Sequence, residues 1–128
     1  MRRFHAWAVV CAALLMLLTA CSSEKQVELY KMLDFSGADE ASIKLLTDSE
    51  EVSVFETAVR KAKRQPGIVD MASPEYGFKL GEREYFLWIG EDVGTIMNAE
   101  DTHTIYSLPA KNARAVSEVV GRYFESEK

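Results

Sequence analysis

Tyr76-Gly77-Phe78-Lys79-Leu80-Gly81-Glu82-Arg83-Glu84-Tyr85-Phe86-Leu87-Trp88-Ile89 is the stretch whose reading decides the fold. Phe78 and Leu80 fall two apart, on one side of an extended segment. Gly81-Glu82-Arg83 reads as a tight turn, and Glu84 to Ile89 returns rich in aromatic residues. Side chains alternate across a strand, so Phe86 and Trp88 share one face while Tyr85, Leu87 and Ile89 share the other. Downstream the pattern repeats. Gly90 to Gly94 turns, Thr95 to Asn98 pairs back, Ala99-Glu100-Asp101 turns again, and Thr102 to Leu108 forms a last strand. Consecutive strands joined by short turns predict an antiparallel meander.

Upstream, Val27 to Leu33 alternates loosely and predicts a strand, Phe35 to Glu40 a loop, and Ala41 to Thr47 a second strand. A helix follows. Asp48-Ser49-Glu50-Glu51 supplies a cap and acids for the positive end of the dipole, with Asp48 and Glu51, or Thr47 and Glu50, as a candidate capping box. Val52, Phe55, Val59 and Ala62 recur at helical spacing. Arg60, Lys61, Lys63 and Arg64 crowd its last turns, and Pro66-Gly67 stops it. That basic cluster is an anion or lipid-head candidate, but dipole complement and a solvated face explain it more simply. Ile68 to Met71 predicts a short strand ended by Ser73-Pro74. Pro109 opens a second helix, whose stripe runs through Ala113, Val116, Val119 or Val120, and Tyr123 or Phe124. The fold class is α+β: an antiparallel meander sheet with two amphipathic helices packed on one face.

The first 26 residues carry a different message. Met1-Arg2-Arg3 is basic, and Ala6 to Leu18 is an apolar run of 13 residues. A membrane-spanning helix needs about 20, so the run reads as a secretory signal. The run leads into Leu18-Thr19-Ala20-Cys21. This segment resembles the bacterial lipoprotein lipobox. The resemblance implies cleavage between Ala20 and Cys21, a diacylglycerol (palmitate-type) anchor on Cys21, and an N-acyl chain on the new amine. The organisation expected is a signal peptide over 1–20, a lipidated tether over 21–26, and one extracytoplasmic α+β domain over 27–128. The localisation expected is the outer face of the cell membrane.

The chain carries 15 Lys+Arg against 20 Asp+Glu, a net charge of −5. Loss of Arg2 and Arg3 with the signal leaves 13 against 20, or −7. Such acidity disfavours nucleic acid and anionic lipid heads as partners. Of the two cysteines, Cys11 leaves with the signal and Cys21 is taken by lipid, so the domain has neither disulfide nor Cys metal site. Its stability must come from an apolar core.

Few residues point to chemistry. His103 is the one histidine beyond the signal. A metal or catalytic role would join it to Asp101, Asp92, Glu100, or a distant Asp70 or Glu75, yet the spacing matches no strong ligand pattern. A turn in which Asp101 bonds nearby amides explains the segment as well. Ser73 lacks any sign of activation, no nucleophile elbow is present, and the glycines read as strand or turn residues. No catalytic set, metal site or cofactor is expected besides the lipid. Trp88 and Phe86 are the candidate binding surface with His103, although core burial is the safer expectation for Trp88.

Gly67 to Pro74, Leu87-Trp88-Ile89, Gly94 to Met97 and Asp101 to Leu108 together resemble the small lipoproteins of Bacillus and its relatives, the YhfM type. The resemblance implies an outward-facing anchor on the plasma membrane. It brings no assigned activity and no functional residue beyond Cys21. The function expected is therefore a membrane-anchored, non-enzymatic module binding a protein or envelope component. A small-ligand or metal-binding lipoprotein is the alternative, and a hydrolase comes third.

Overall fold

The computed structural model describes residues 26–66 and 71–124. Eight strands form one antiparallel sheet: β1 (Val27–Asp34), β2 (Gly37–Ala38), β3 (Lys44–Leu46), β4 (Lys63–Gln65), β5 (Tyr76–Leu80), β6 (Arg83–Ile89), β7 (Gly94–Asn98) and β8 (Ile105–Leu108). Their order is β2-β1-β5-β6-β7-β8-β4, with β3 also paired to β1. Among the described residues two α-helices, α1 (Ser49–Lys61) and α2 (Ala110–Phe124), complete the α+β fold. The β5–β6–β7–β8 meander matches its sequence pattern closely. Tyr76 pairs with Leu87, Phe78 with Tyr85 and Leu80 with Arg83, and Leu87 continues onto Ile96.

The helix-side face carries Leu29, Phe78, Tyr85, Leu87, Ile96 and Leu108. These join Val52, Phe55 and Ala58 of α1 and Ala113, Val116, Val119, Val120 and Phe124 of α2 in one buried cluster. Phe55 meets Phe78 at 4.9 Å between ring centroids, and Phe78 stacks on Tyr85 at 5.1 Å. α2 lies close to the sheet because Gly94 has no side chain. A Cβ there would stand 2.8 Å from Leu108 and 3.3 Å from the Ala113 methyl.

The structure departs from the sequence pattern in several places. Residues 41–47 are not one strand. Asp39 caps a 3-10 turn over Glu40–Ser42 by accepting from the Ala41 amide, and the Ser42 hydroxyl accepts from the Lys31 amide of β1 at 2.8 Å. This side-chain alternative takes the donor that a ladder would have used, leaving only Lys44–Leu46 as β3. The loop expected over 35–40 contains the short strand β2, which pairs back on β1. α1 ends at Lys61 rather than near Pro66. Lys63–Gln65 instead pairs with β8 and closes that sheet edge, a non-local contact that local helix propensity cannot report. The last strand begins at Ile105, because Thr102 and His103 lie in a turn. Of the strand expected over Ile68 to Met71, Met71 is not in a strand, and residues 67–70 lie outside the described residues.

Asp48 caps α1 as expected, its carboxylate accepting from the Glu50 amide at 2.8 Å. Glu51 does not complete a capping box. It is buried, and its carboxylate accepts from the Tyr123 hydroxyl at 2.6 Å and from Arg122 at 3.5 Å. This clamp ties the start of α1 to the end of α2. The hydrogen bond to Glu51 and burial together push the Tyr123 hydroxyl up to about 12.

Two stability predictions follow from this packing. Phe55→Ala should cost about 3–5 kcal/mol, because the ring is fully buried between layers. Urea denaturation reads this directly, and a loss under about 1 kcal/mol would contradict the packing. Tyr123→Phe should cost about 1 kcal/mol at pH 8. The folded state holds the Tyr123 proton more tightly than the unfolded chain, whose tyrosines titrate near about 10. The stabilisation is therefore complete below about pH 10 and lost as pH rises towards 12. The difference in urea midpoint between wild type and Tyr123→Phe should shrink over that window. A constant difference from pH 8 to 12 would refute the assignment.

Candidate functional site

The face of the sheet away from the helices carries Tyr30, Phe86, Trp88 and Met97, as alternation dictates. It is not bare. Phe86 is 7% exposed and Met97 2%. Phe35, in the turn after β1, packs edge-on against Phe86 with centroids 5.6 Å apart and reaches Trp88 at 6.1 Å. Segment 71–75 covers another part. Pro74 is buried, and the Ala72 carbonyl accepts from the Trp88 indole at 2.9 Å. Trp88 is thus half-buried on the outer face, where core burial was the expectation. Phe86 lies beneath Phe35 and offers little surface of its own.

Tyr30 organises the middle of this face. Its ring passes directly over Gly77, its cross-strand partner, and its hydroxyl donates to Glu84. A Cβ on Gly77 would stand 2.5 Å from the ring, so glycine is what lets the tyrosine lie flat. Burial, reinforced by the Glu84 hydrogen bond and charge, pushes the Tyr30 hydroxyl far above the usual tyrosine range.

Three of the five large apolar side chains exposed among the described residues lie at one end of the sheet, while Ile43 and Leu45 lie by the Val27 end. β1 and β6 run in the same direction, so the end of β1, the Phe35 turn, Trp88 and the β6–β7 turn lie together. Leu33 is 73% exposed, Val93 67% and Phe35 43%. With Trp88 they make an aromatic corner at the sheet end opposite Val27. Sequence reasoning identified Trp88 but missed Phe35, Leu33 and Val93, which alternation alone places in a loop, a strand end and a turn.

His103 does not join this corner. It lies exposed in the β7–β8 connection, at the other end of the ladder from Trp88. Its backbone amide donates to the Asp101 carboxylate at 3.4 Å, the turn role considered for that pair. Asp101 instead lines a cavity of about 230 Å³ beneath the C-terminal half of α1. Arg83, Asn98 and Tyr106 share its wall, with Tyr85, Ile96 and Val59 as an apolar floor. Sequence reasoning did not assemble this set, whose members come from three strands, a loop and a helix. Asp70 lies outside the described residues. Among the described residues no cluster of three or more His, Cys, Asp or Glu is arranged to hold a metal. Among them, too, no helix is long and apolar enough to cross a membrane. Ala20 and Cys21 lie outside the described residues.

Comparisons with known proteins bear on this picture. A crystal structure of a thioesterase-like protein from Clostridium sporogenes ATCC 15579 superposes with a TM-score of 0.57 at 18% sequence identity, covering 73% of this chain and 91% of that one. At that identity the likeness is one of fold. No curated protein matches the sequence. The family model described as YhfM protein matches residues 24–125. That span takes in every strand and both helices, and on it the chain belongs to the YhfM family.

Proposed function

We propose that this protein is a lipid-anchored, extracytoplasmic binding module that docks a protein or envelope component through its aromatic corner. The observation that carries the reading is the Phe35 ring set against the half-buried Trp88, with Leu33 and Val93 exposed at the same end of the sheet. Exposed apolar clusters mark interaction sites more often than isolated apolar residues do, and tryptophan is among the residues enriched as interface anchors.

The topology gives the corner a direction. β1 runs from Val27 at one end of the sheet to Phe35 at the other. With lipid on Cys21, the five residues 22–26 span at most about 18 Å. The Val27 end then lies near the bilayer and the aromatic corner points away from it. Tethering also raises the effective concentration of the domain towards partners in the same envelope.

Thioester hydrolysis is a second reading, supported by the fold likeness to a thioesterase-like protein together with the Asp101-lined cavity. Thiol release from short-chain acyl-coenzyme A substrates, lost in Asp101→Asn, would favour it over binding.

The anchor and the corner are tested separately. Cys21→Ser should move the protein out of the membrane fraction or leave it as unprocessed precursor. Unchanged fractionation with unchanged mass would remove the anchor from the proposal. A photo-crosslinking residue at position 35 should give one discrete adduct in intact cells, and Leu33→Asp should abolish it while leaving the melting curve intact. Leu33 is largely exposed, so that substitution tests docking rather than folding. A diffuse ladder of adducts, or an adduct indifferent to Leu33→Asp, would count against the corner as a docking surface.

A further inference from the structure

The cavity under α1 lies at the opposite end of the sheet from the aromatic corner, and its chemistry differs. Its floor is apolar: Tyr85 is 6% exposed and Ile96 2%. Its wall presents the guanidinium of Arg83, the amide of Asn98, the hydroxyl of Tyr106 and the carboxylate of Asp101. At about 230 Å³ it suits a small polar molecule and falls below the usual range for drug-sized ligands.

Two arginines meet at this corner, Arg83 in the wall and Arg64 beside it. Arg64 of β4 is paired directly with Tyr106 of β8, and opposed residues share a face, so Arg64 stands beside the tyrosine that lines the cavity. Arg60 and Lys61 end α1 just after the cavity-lining Val59, whereas Lys63, paired with Ser107, alternates to the other face of the sheet. Arg64 and Arg83 are both exposed. Arg83 and Arg64 form no ion pair with any described residue. Complementing the dipole of α1 accounts for Arg60 and Lys61. It does not account for Arg64 and Arg83, which reach the same corner from two different strands. A cleft focuses the field of two unpaired guanidinium groups at its wall.

We propose that this cavity binds a small organic phosphate, with the phosphoryl oxygens held by Arg83 and Arg64 and a hydroxyl or ammonium group of the ligand donating to Asp101. Guanidinium pairs phosphate through two parallel N–H donors, a geometry suited to selecting this anion. Asn98 and Tyr106 supply neutral donors to the remaining oxygens. The single carboxylate explains why a phosphate ester with a donor group fits better than bare phosphate. Two sources share this chemistry: a soluble phosphomonoester, and the phosphodiester headgroup of a lipid.

Isothermal titration calorimetry on the full-length chain distinguishes them, with sn-glycerol 3-phosphate as the monoester, glycerophosphoglycerol as the headgroup diester, and inorganic phosphate as the bare anion. At least one ester should bind saturably and more weakly as salt rises. Arg83→Gln should weaken it about tenfold or more. Asp101→Asn should weaken the ester while inorganic phosphate, relieved of a like charge, binds more tightly. Arg114→Gln, on the outer surface of α2, should change nothing. Preference for the diester assigns the site to lipid headgroups, and preference for the monoester to a soluble ligand. Absence of saturable binding by all three probes, or equal affinity in wild type and Arg83→Gln, overturns the proposal. Neither result touches the aromatic corner, which stands or falls on its own crosslink.

Discussion

The ring of Phe55 descends from α1 onto Phe78, and Phe78 stacks across the β5–β6 ladder on Tyr85. This chain of aromatic contacts joins helix layer to sheet layer at the centre of the core. It also sets the height of α1 above the strands. The helix rests on Phe78 through Phe55, while its C-terminal half passes over Tyr85 and Ile96 with the small cavity between. The register that pairs Phe78 with Tyr85 also places Arg83 and Asn98 on the helix-side face at the strand ends. Core packing and the polar wall of the cavity are therefore consequences of one ladder.

The outer face follows a different rule. Among the described residues no helix covers it, and the sheet uses what the chain leaves nearby: the Tyr30 ring over Gly77, Phe35 from the β1–β2 turn, and segment 71–75 with its carbonyl on Trp88. These cover Phe86 and Met97 but stop short of the far end, where Leu33, Phe35 and Val93 remain exposed. The two ends of the sheet thus differ in kind. One carries Leu33, Phe35 and Val93 and faces away from the start of the domain. The other holds the cavity walled by Arg83 and Asp101, and lies on the side from which the chain arrives at Val27. A domain tethered near Cys21 would present them to different surroundings.

The meander, both helices and most of the buried stripe are readable from residue order, because each depends on contacts between near neighbours in sequence. Alternation over 76–98 sets the strands and their faces. The helical spacing of Val52 and Phe55, and of Ala113, Val116 and Val120, marks the buried sides of the helices. The Asp48 cap is equally local. The errors fall where a distant partner competes. Ser42 gives its hydroxyl oxygen to a β1 amide instead of lying in a strand. Glu51 leaves the capping box for Tyr123, and Lys63–Gln65 leaves the helix for the edge of β8. In each case a tertiary hydrogen bond outweighs a propensity difference of less than 1 kcal/mol per residue.

The sequence by itself determined the α+β class, the family, the likeness of residues 18–21 to a lipobox, and the division of Tyr85 and Leu87 from Phe86 and Trp88. All of these are matters of period, spacing or local motif. Tertiary structure alone decided that Trp88 is half-covered, that His103 stands apart from it, and that Arg64, Arg83, Asn98, Asp101 and Tyr106 converge on one cavity. Those residues are scattered over 43 positions, from 64 to 106. Only the antiparallel return of β6, β7 and β8, and the pairing of β4 onto the last of them, brings their side chains to one corner. No pattern of local spacing encodes that closure, because it is set by which strand edges remain to be paired once the helices have covered their face.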